Sequence, residues 1–110
     1  MIYVFGNGGL AHEFVSFAQL AVDDIVFISK EFEDSLDWNS LQGKDVYVLI
    51  ADNIIRRRIF ECLDLYNVKP KTFIHPTAII GSRTVIGQGS IISPNCIVSN
   101  DVKLGIGVFI

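Results

Sequence analysis

The sequence predicts an α/β fold in two parts, a small parallel α/β unit followed by a three-sided parallel β-coil. Three observations predict it. Short apolar runs at residues 2–5, 25–28 and 46–50 are interleaved with segments of helical period. A glycine-rich turn, Gly6-Asn7-Gly8-Gly9, joins the first run to the first helix. From Ala78 onward the helical period vanishes, and an aliphatic residue returns at every sixth position.

Ile2 to Phe5 is a run of β-formers broken by Gly6, so it predicts a buried strand. Leu10, Phe14, Phe17, Ala18 and Ala21 then recur at helical spacing and predict an amphipathic helix of about three turns. The runs Ile25 to Ile28 and Val46 to Ile50 lack alternation, as do strands covered on both faces of a parallel sheet. Asp52 and Asn53 can each cap a second helix, which carries Ile55, Ile59, Cys62, Leu63 and Tyr66 on one face. Arg56, Arg57 and Arg58 fall mostly on its other faces, and Asn67 with the following Val68-Lys69-Pro70-Lys71 ends it. The order is β-α-β-β-α, a doubly wound unit. Between the second and third strands, Ser29 to Lys44 is polar and acidic with Trp38 embedded, and reads as a solvated connection.

The second half is a hexapeptide repeat. Ile80, Ile86, Ile92, Val98, Leu104 and Ile110 lie six apart, and the residue after each of the first five is small: Gly81, Gly87, Ser93, Ser99 and Gly105. Two places before each aliphatic stand Ala78, Thr84, Ser90, Cys96, Val102 and Val108, none of them large. Each hexapeptide forms one flat side of a triangle, so its aliphatic points inward and stacks on the next turn at about 4.8 Å. The small residue is expected near a corner, where permissive dihedrals are needed. Residues 78 to 110 amount to less than two such turns, and solenoids need several with a cap, so the chain reads as part of a longer protein.

Composition narrows the function. Half of the 110 residues are hydrophobic, enough for a core, and the net charge of −3 offers no electrostatic reason for nucleic acid or an anionic membrane as partner. No apolar stretch is long enough for a signal peptide or a membrane span. Cys62 and Cys96 have no metal-ligand spacing around them and read as buried thiols, so no metal is expected and the cytoplasm is the expected location.

The turn Gly6-Asn7-Gly8-Gly9 has the context of a phosphate cradle: it follows a strand and opens a helix whose N-terminus offers N–H groups and a favourable dipole. Glycine also serves any tight strand-to-helix turn, so the bare pattern is weak. A dinucleotide cofactor would want an acid closing the second strand, where this chain has Ser29-Lys30, with Glu31 and Glu33 beyond. That disfavours an NAD-dependent oxidoreductase. Asp52, Asn53 and Arg56 follow the third strand, at the crevice where open α/β sheets bind ligands; the alternative is a cap and a solvated helix face. His12 reads either as a packed imidazole or as a ligand contact beside the loop. His75, before Pro76, reads as structural.

Taken together, Gly6-Asn7-Gly8-Gly9-Leu10-Ala11-His12-Glu13, Ile50-Ala51-Asp52-Asn53-Ile54-Ile55-Arg56 and Phe73-Ile74-His75-Pro76-Thr77-Ala78 before the hexapeptides resemble one family along the whole chain. That family is the sialic acid O-acetyltransferases and UDP-4-amino-sugar N-acetyltransferases of the NeuD/PglD type. The resemblance implies a Rossmann-like nucleotide-sugar-binding domain at residues 1–71 and the start of a left-handed parallel β-helix at residues 72–110. It implies acetyl-CoA as co-substrate, lying between β-helices of a homotrimer, and a nucleotide-sugar acceptor held by Gly6, Asn7, Gly8 and Gly9, with Asp52, Asn53 and Arg56 across the crevice.

The chain departs from the family at Ser29-Lys30, where many members have two aspartates, at Leu10, where many have histidine, and at Ala51, where many have glycine. The family's catalytic base is a histidine in a later coil, and none follows His75, so the base is expected beyond Ile110 and the 110 residues alone are expected to be inactive. The expected function is the N-terminal portion of an acetyltransferase acting on a nucleotide-linked amino sugar or a sialic-acid-like sugar. The alternative is a non-catalytic nucleotide-binding or assembly module.

Overall fold

A computed structural model describes residues 1–29 and 33–110 as two compact units, Met1–Pro70 and Lys71–Ile110. In the first, β1 (Ile2–Phe5), β2 (Ile25–Ile28) and β3 (Asp45–Val48) form a parallel sheet of order β2-β1-β3. Helix α1 (Gly9–Phe17) connects β1 to β2, and α2 (Asn53–Leu65) follows β3. The third strand ends two residues before the predicted Ile50. Among the described residues only β1 of the three strands has a neighbour on each side, and Val26 of β2 is exposed, so burial on both faces is not general.

Helix α1 is shorter than the periodicity predicts, and Ala21 lies outside it. Gln19 takes a left-handed conformation at φ 56°, and Leu20 N–H reaches back to the carbonyl of Val15 at 3.2 Å. Helix α2 ends the same way: Asn67 has φ 58° and Val68 N–H donates to Leu63 at 2.8 Å, satisfying a carbonyl the helix leaves open. Asn67 signals this stop in the sequence; Gln19 does not.

The core packs Phe5, Val46 and Val48 of the sheet against Ile59 and Leu63 of α2, with Ile28, Leu41 and Val68. Here the connection before β3 departs from the solvated reading. Asp37 caps a short 3-10 turn, Trp38–Leu41, by accepting from Asn39 N–H. That turn delivers Leu41, fully buried, to the core. Trp38 stacks between Phe5, at 5.3 Å, and Tyr66, at 6.1 Å. Glu33, nearly buried, pairs with Arg58 at 2.7 Å. Polar composition concealed this because only Leu36, Trp38 and Leu41 do the packing, and full burial of a side chain such as Leu41 contributes about 2 kcal/mol.

In the second unit, two-residue strands pair in parallel with partners eighteen positions on. β4 (Phe73–Ile74) pairs with β7 (Ile91–Ile92), β5 (Ile79–Ile80) with β8 (Ile97–Val98), and β6 (Val85–Ile86) with β9 (Lys103–Leu104). Eighteen residues are three hexapeptides, the period expected of a three-sided turn. Ile92 and Val98 are buried and Ile80, Ile86 and Leu104 partly so, while their outward neighbours Ile79 and Ile97 are 61% and 74% exposed. Ile91 is the exception among outward positions; it is buried in a ladder with Phe73 and Phe109.

The corner residue is not the one expected. Left-handed dihedrals fall on Arg83, Gly89, Asn95, Asp101 and Gly107, again six apart but two places after the small residue. Gly81 and Gly87 are small for another reason: a Cβ on either would run into the backbone of the next turn, at Ser99-Asn100 and Gly105-Ile106. The positions two before the aliphatic matter for hydrogen bonding. Thr84 donates its hydroxyl to the Ser99 carbonyl and accepts from Val102 N–H, and Ser90 does the same with Gly105 and Val108. Both cysteines are free and half-buried, less enclosed than expected.

Candidate functional site

The predicted site residues stand at the carboxyl ends of the two adjacent strands β1 and β3. Gly6 is the residue the turn cannot do without. It has φ 111°, its N–H donates to the Ile28 carbonyl at 2.9 Å, and a Cβ there would collide with the Leu49 carbonyl. The chain leaving β1 is thus wedged between the ends of the other two strands, beside Ile50.

Gly8 and Gly9 are different. Gly8 has an ordinary negative φ of −93°, and a Cβ on either residue would meet nothing within 4 Å. Neither packing nor dihedral demands glycine here. Gly8 is the N-cap of α1, supplies no side-chain cap, and no acidic residue lies in the first turn. The helix therefore presents an uncapped, exposed N-terminus, with its partial positive charge, at the sheet's carboxyl edge.

Asn7 and His12 form a clasp beside it. His12 Nε2 lies 2.9 Å from Asn7 Oδ1; the carbonyl oxygen can only accept, so Nε2 carries the proton. The imidazole also stacks on Phe27 of β2 at 4.7 Å. His12 is thus both packed and adjacent to the loop.

Across the edge, Asp52 caps α2 by accepting from Ile54 and Ile55 N–H at 2.9 and 3.0 Å. Arg56 donates to Asn53 Oδ1 at 2.7 Å and to the Ile50 carbonyl at 3.4 Å, which holds the half-buried guanidinium against the loop that touches Gly6. The three arginines are separate in role. Arg57 pairs with Glu61 at 3.5 Å and Arg58 with Glu33, leaving only Arg56 turned to the end of β3. Lys30 and Glu31, which the sequence reading weighed against a dinucleotide site, lie outside the described residues.

His75 is structural in its surroundings. Its Nδ1 accepts from Thr77 N–H at 3.1 Å, and Thr77 Oγ1 accepts from Asn95 N–H one turn on. Among the described residues there is no cluster of metal-ligating side chains, and no helix is long and apolar enough to cross a membrane.

No model of a known protein family matches the chain. Among curated proteins, the GDP-perosamine N-acetyltransferase of Escherichia coli O157:H7 is 40% identical over 58 residues, 53% of this chain and 26% of that protein. Among solved structures, a mutant perosamine N-acetyltransferase from Caulobacter crescentus in complex with CoA and GDP-perosamine superposes with a TM-score of 0.82 at 18% identity, over 98% of this chain and 58% of that one. The acetyltransferase domain of PglB from Neisseria gonorrhoeae FA1090 in complex with acetyl coenzyme A gives 0.76 at 26% identity, over 98% and 60%. The chain therefore spans less than two thirds of each of these relatives. The matches support the resemblance to the NeuD/PglD-type acetyltransferases, and the mixed α/β architecture with parallel sheets is theirs.

Proposed function

We propose that this chain is the N-terminal portion of an acetyl-CoA-dependent acetyltransferase whose acceptor is a nucleotide-linked amino sugar, bound through its diphosphate at Gly6-Asn7-Gly8-Gly9. One observation carries the reading: Gly8 and Gly9 lack side chains that the local fold would tolerate, at a helix N-terminus that no side chain caps. Bare backbone N–H groups at such a site suit phosphate oxygens. A neighbour of the same fold is in complex with GDP-perosamine and CoA, which supports a nucleotide-linked amino sugar over free sialic acid. Arg56, held half-buried at the end of β3, is the cation we assign to the acceptor's phosphate or sugar, with Asn53 orienting it and Asp52 fixing the start of α2.

In this reading residues 1–71 hold the acceptor, and residues 72–110 begin a left-handed β-helix that assembles as a homotrimer of a cytoplasmic enzyme. Transfer forms the C–N bond as the thioester C–S bond breaks, with coenzyme A leaving as the thiol and the amine proton passing to a base. The resemblance implies a histidine base in a later coil, so we place the base outside residues 1–110 and assign binding, not turnover, to these residues alone.

The test is Gly8→Val in the full-length protein. With φ −93° and open space, valine leaves the fold intact, so the circular dichroism spectrum stays native. Calorimetric affinity for GDP- and UDP-linked 4-amino sugars is expected to fall about tenfold or more, together with thiol release from acetyl-CoA. Equal affinity for wild type and variant makes the glycine loop only a turn and favours the assembly-module alternative.

A further inference from the structure

Two apolar side chains of α2 face solvent, Ile54 at 82% exposure and Leu65 at 78%. Singly, such residues are ordinary surface. Their spacing sets them apart. Ile54, Arg58, Glu61 and Leu65 follow one another at intervals of four, three and four residues, which is the spacing of a coiled-coil seam and makes one stripe along the helix. The opposite face of α2 goes to the core through Ile59 and Leu63. The stripe matches a second copy of itself in one orientation. Turned end for end about a two-fold axis between Ile59 and Phe60, the second α2 sets Ile54 against Leu65 and Arg58 against Glu61, each pair made twice. Parallel and in register, it would set Arg58 on Arg58 and Glu61 on Glu61, like charge against like. A guanidinium carries five N–H donors, so Arg58 can meet Glu61 of the second copy while its Nη2 keeps Glu33 at 2.7 Å. Arg57, 3.5 Å from Glu61 of its own helix, adds a flanking cation to the same network.

We infer that the exposed face of α2 is an interface between two copies of this chain, antiparallel about a two-fold axis. The inference stands apart from the nucleotide reading, since it uses neither the glycine loop nor Arg56. Charge order selects the partner and its direction; the apolar ends supply the contact. One helix face buries less than the ~1,200 Å² of a stable interface, so the association is weak and reversible, with a dissociation constant on the order of 100 µM. Any assembly made through other surfaces is doubled by it.

The test is analytical ultracentrifugation of the full-length protein, without nucleotide, from about 10 to about 500 µM. Wild type is expected to approach twice the mass of Glu61→Arg, in which four cations face one another across the axis and association weakens about tenfold or more. Glu61 is largely exposed, so that variant keeps its fold and its circular dichroism spectrum. Cysteine cross-linking under mild oxidation tests the direction. Ile54→Cys mixed with Leu65→Cys is expected to cross-link severalfold faster than either variant links to itself, because the two copies of residue 54 are offset by about 16 Å along the helices. Cys62 and Cys96 are half-buried and present in every sample, so their background is shared. Equal masses for wild type and Glu61→Arg at every concentration overturn the inference, whether both double or neither does. So does Ile54→Cys linking to itself as fast as to Leu65→Cys, which would make the pairing parallel or random.

Discussion

The two strand-to-helix junctions of the α/β unit leave the same edge of the same sheet and are built in opposite ways. After β3, the chain closes its helix with its own carboxylate, Asp52, on the N–H groups of Ile54 and Ile55. After β1, the N-cap is Gly8, no side chain caps α1, and the side-chain carbonyl of Asn7, one residue earlier, is bonded to His12. Alanine in place of a capping side chain costs about 1 kcal/mol but glycine only a few tenths, so the open end at Gly8 costs the fold little. The contrast teaches where to look for a ligand: at the end the chain leaves open.

The first junction also contains two kinds of glycine, and substitution should tell them apart. Gly6→Ala places a methyl group against the Leu49 carbonyl at a φ of 111°, so urea denaturation should show a loss on the order of 3 kcal/mol. Gly8→Ala, in open space, should cost less than about 1 kcal/mol by the same measurement. Similar losses at both positions would dissolve the distinction between a glycine the turn requires and one it does not.

The second junction predicts a smaller effect. Asp52→Ala removes both bonds to the start of α2 and should lower stability by about 1 kcal/mol, while Asp52→Asn, an equally good cap, should cost little. Nucleotide affinity should change less than about twofold in the asparagine variant. A large affinity loss there with stability intact would move Asp52 from capping to direct contact with the acceptor.

The smallest effect lies at the corners of the coils, which use both solutions side by side. Gly89 and Gly107 adopt left-handed dihedrals without a side chain, whereas Arg83 and Asp101 adopt them and pair across successive turns, with Arg83 Nη2 2.9 Å from Asp101 Oδ2. The hydrogen bond from Arg83 holds the Asp101 carboxyl below the usual carboxylate range and raises the guanidinium. A depressed carboxylate stabilises the fold above its unfolded-state pKa, and that contribution fades as pH falls through the folded value. Both side chains are exposed, so the effect is slight. The stability difference between wild type and Asp101→Asn should therefore be measurable at neutral pH and shrink toward zero in strong acid. A difference that grows on acidification would refute the pairing.

Where local pattern was sufficient, the sequence could be read directly. Three strands, two helices and the six-residue period follow from apolar spacing, because a strand or coil buries the same face at each repeat whatever packs on it. A cap at Asp52 or Asn53 and the Asn67 stop were equally legible, since each acts on backbone groups a few residues away, and the structure decides the cap for Asp52. The glycine loop was legible as a pattern but not in its parts: only the neighbouring strand ends show that Gly6 is required and Gly8 is not. Polar average composition hid Trp38 and Leu41, because stacking on Phe5 and Tyr66 depends on residues distant in the chain. The small residues of the hexapeptides were read as corners, while Gly81 and Gly87 answer to backbone one turn away. Local periodicity, in short-range terms, determined which elements form; contacts between segments far apart in sequence decided which glycine, which arginine and which histidine face the open helix end.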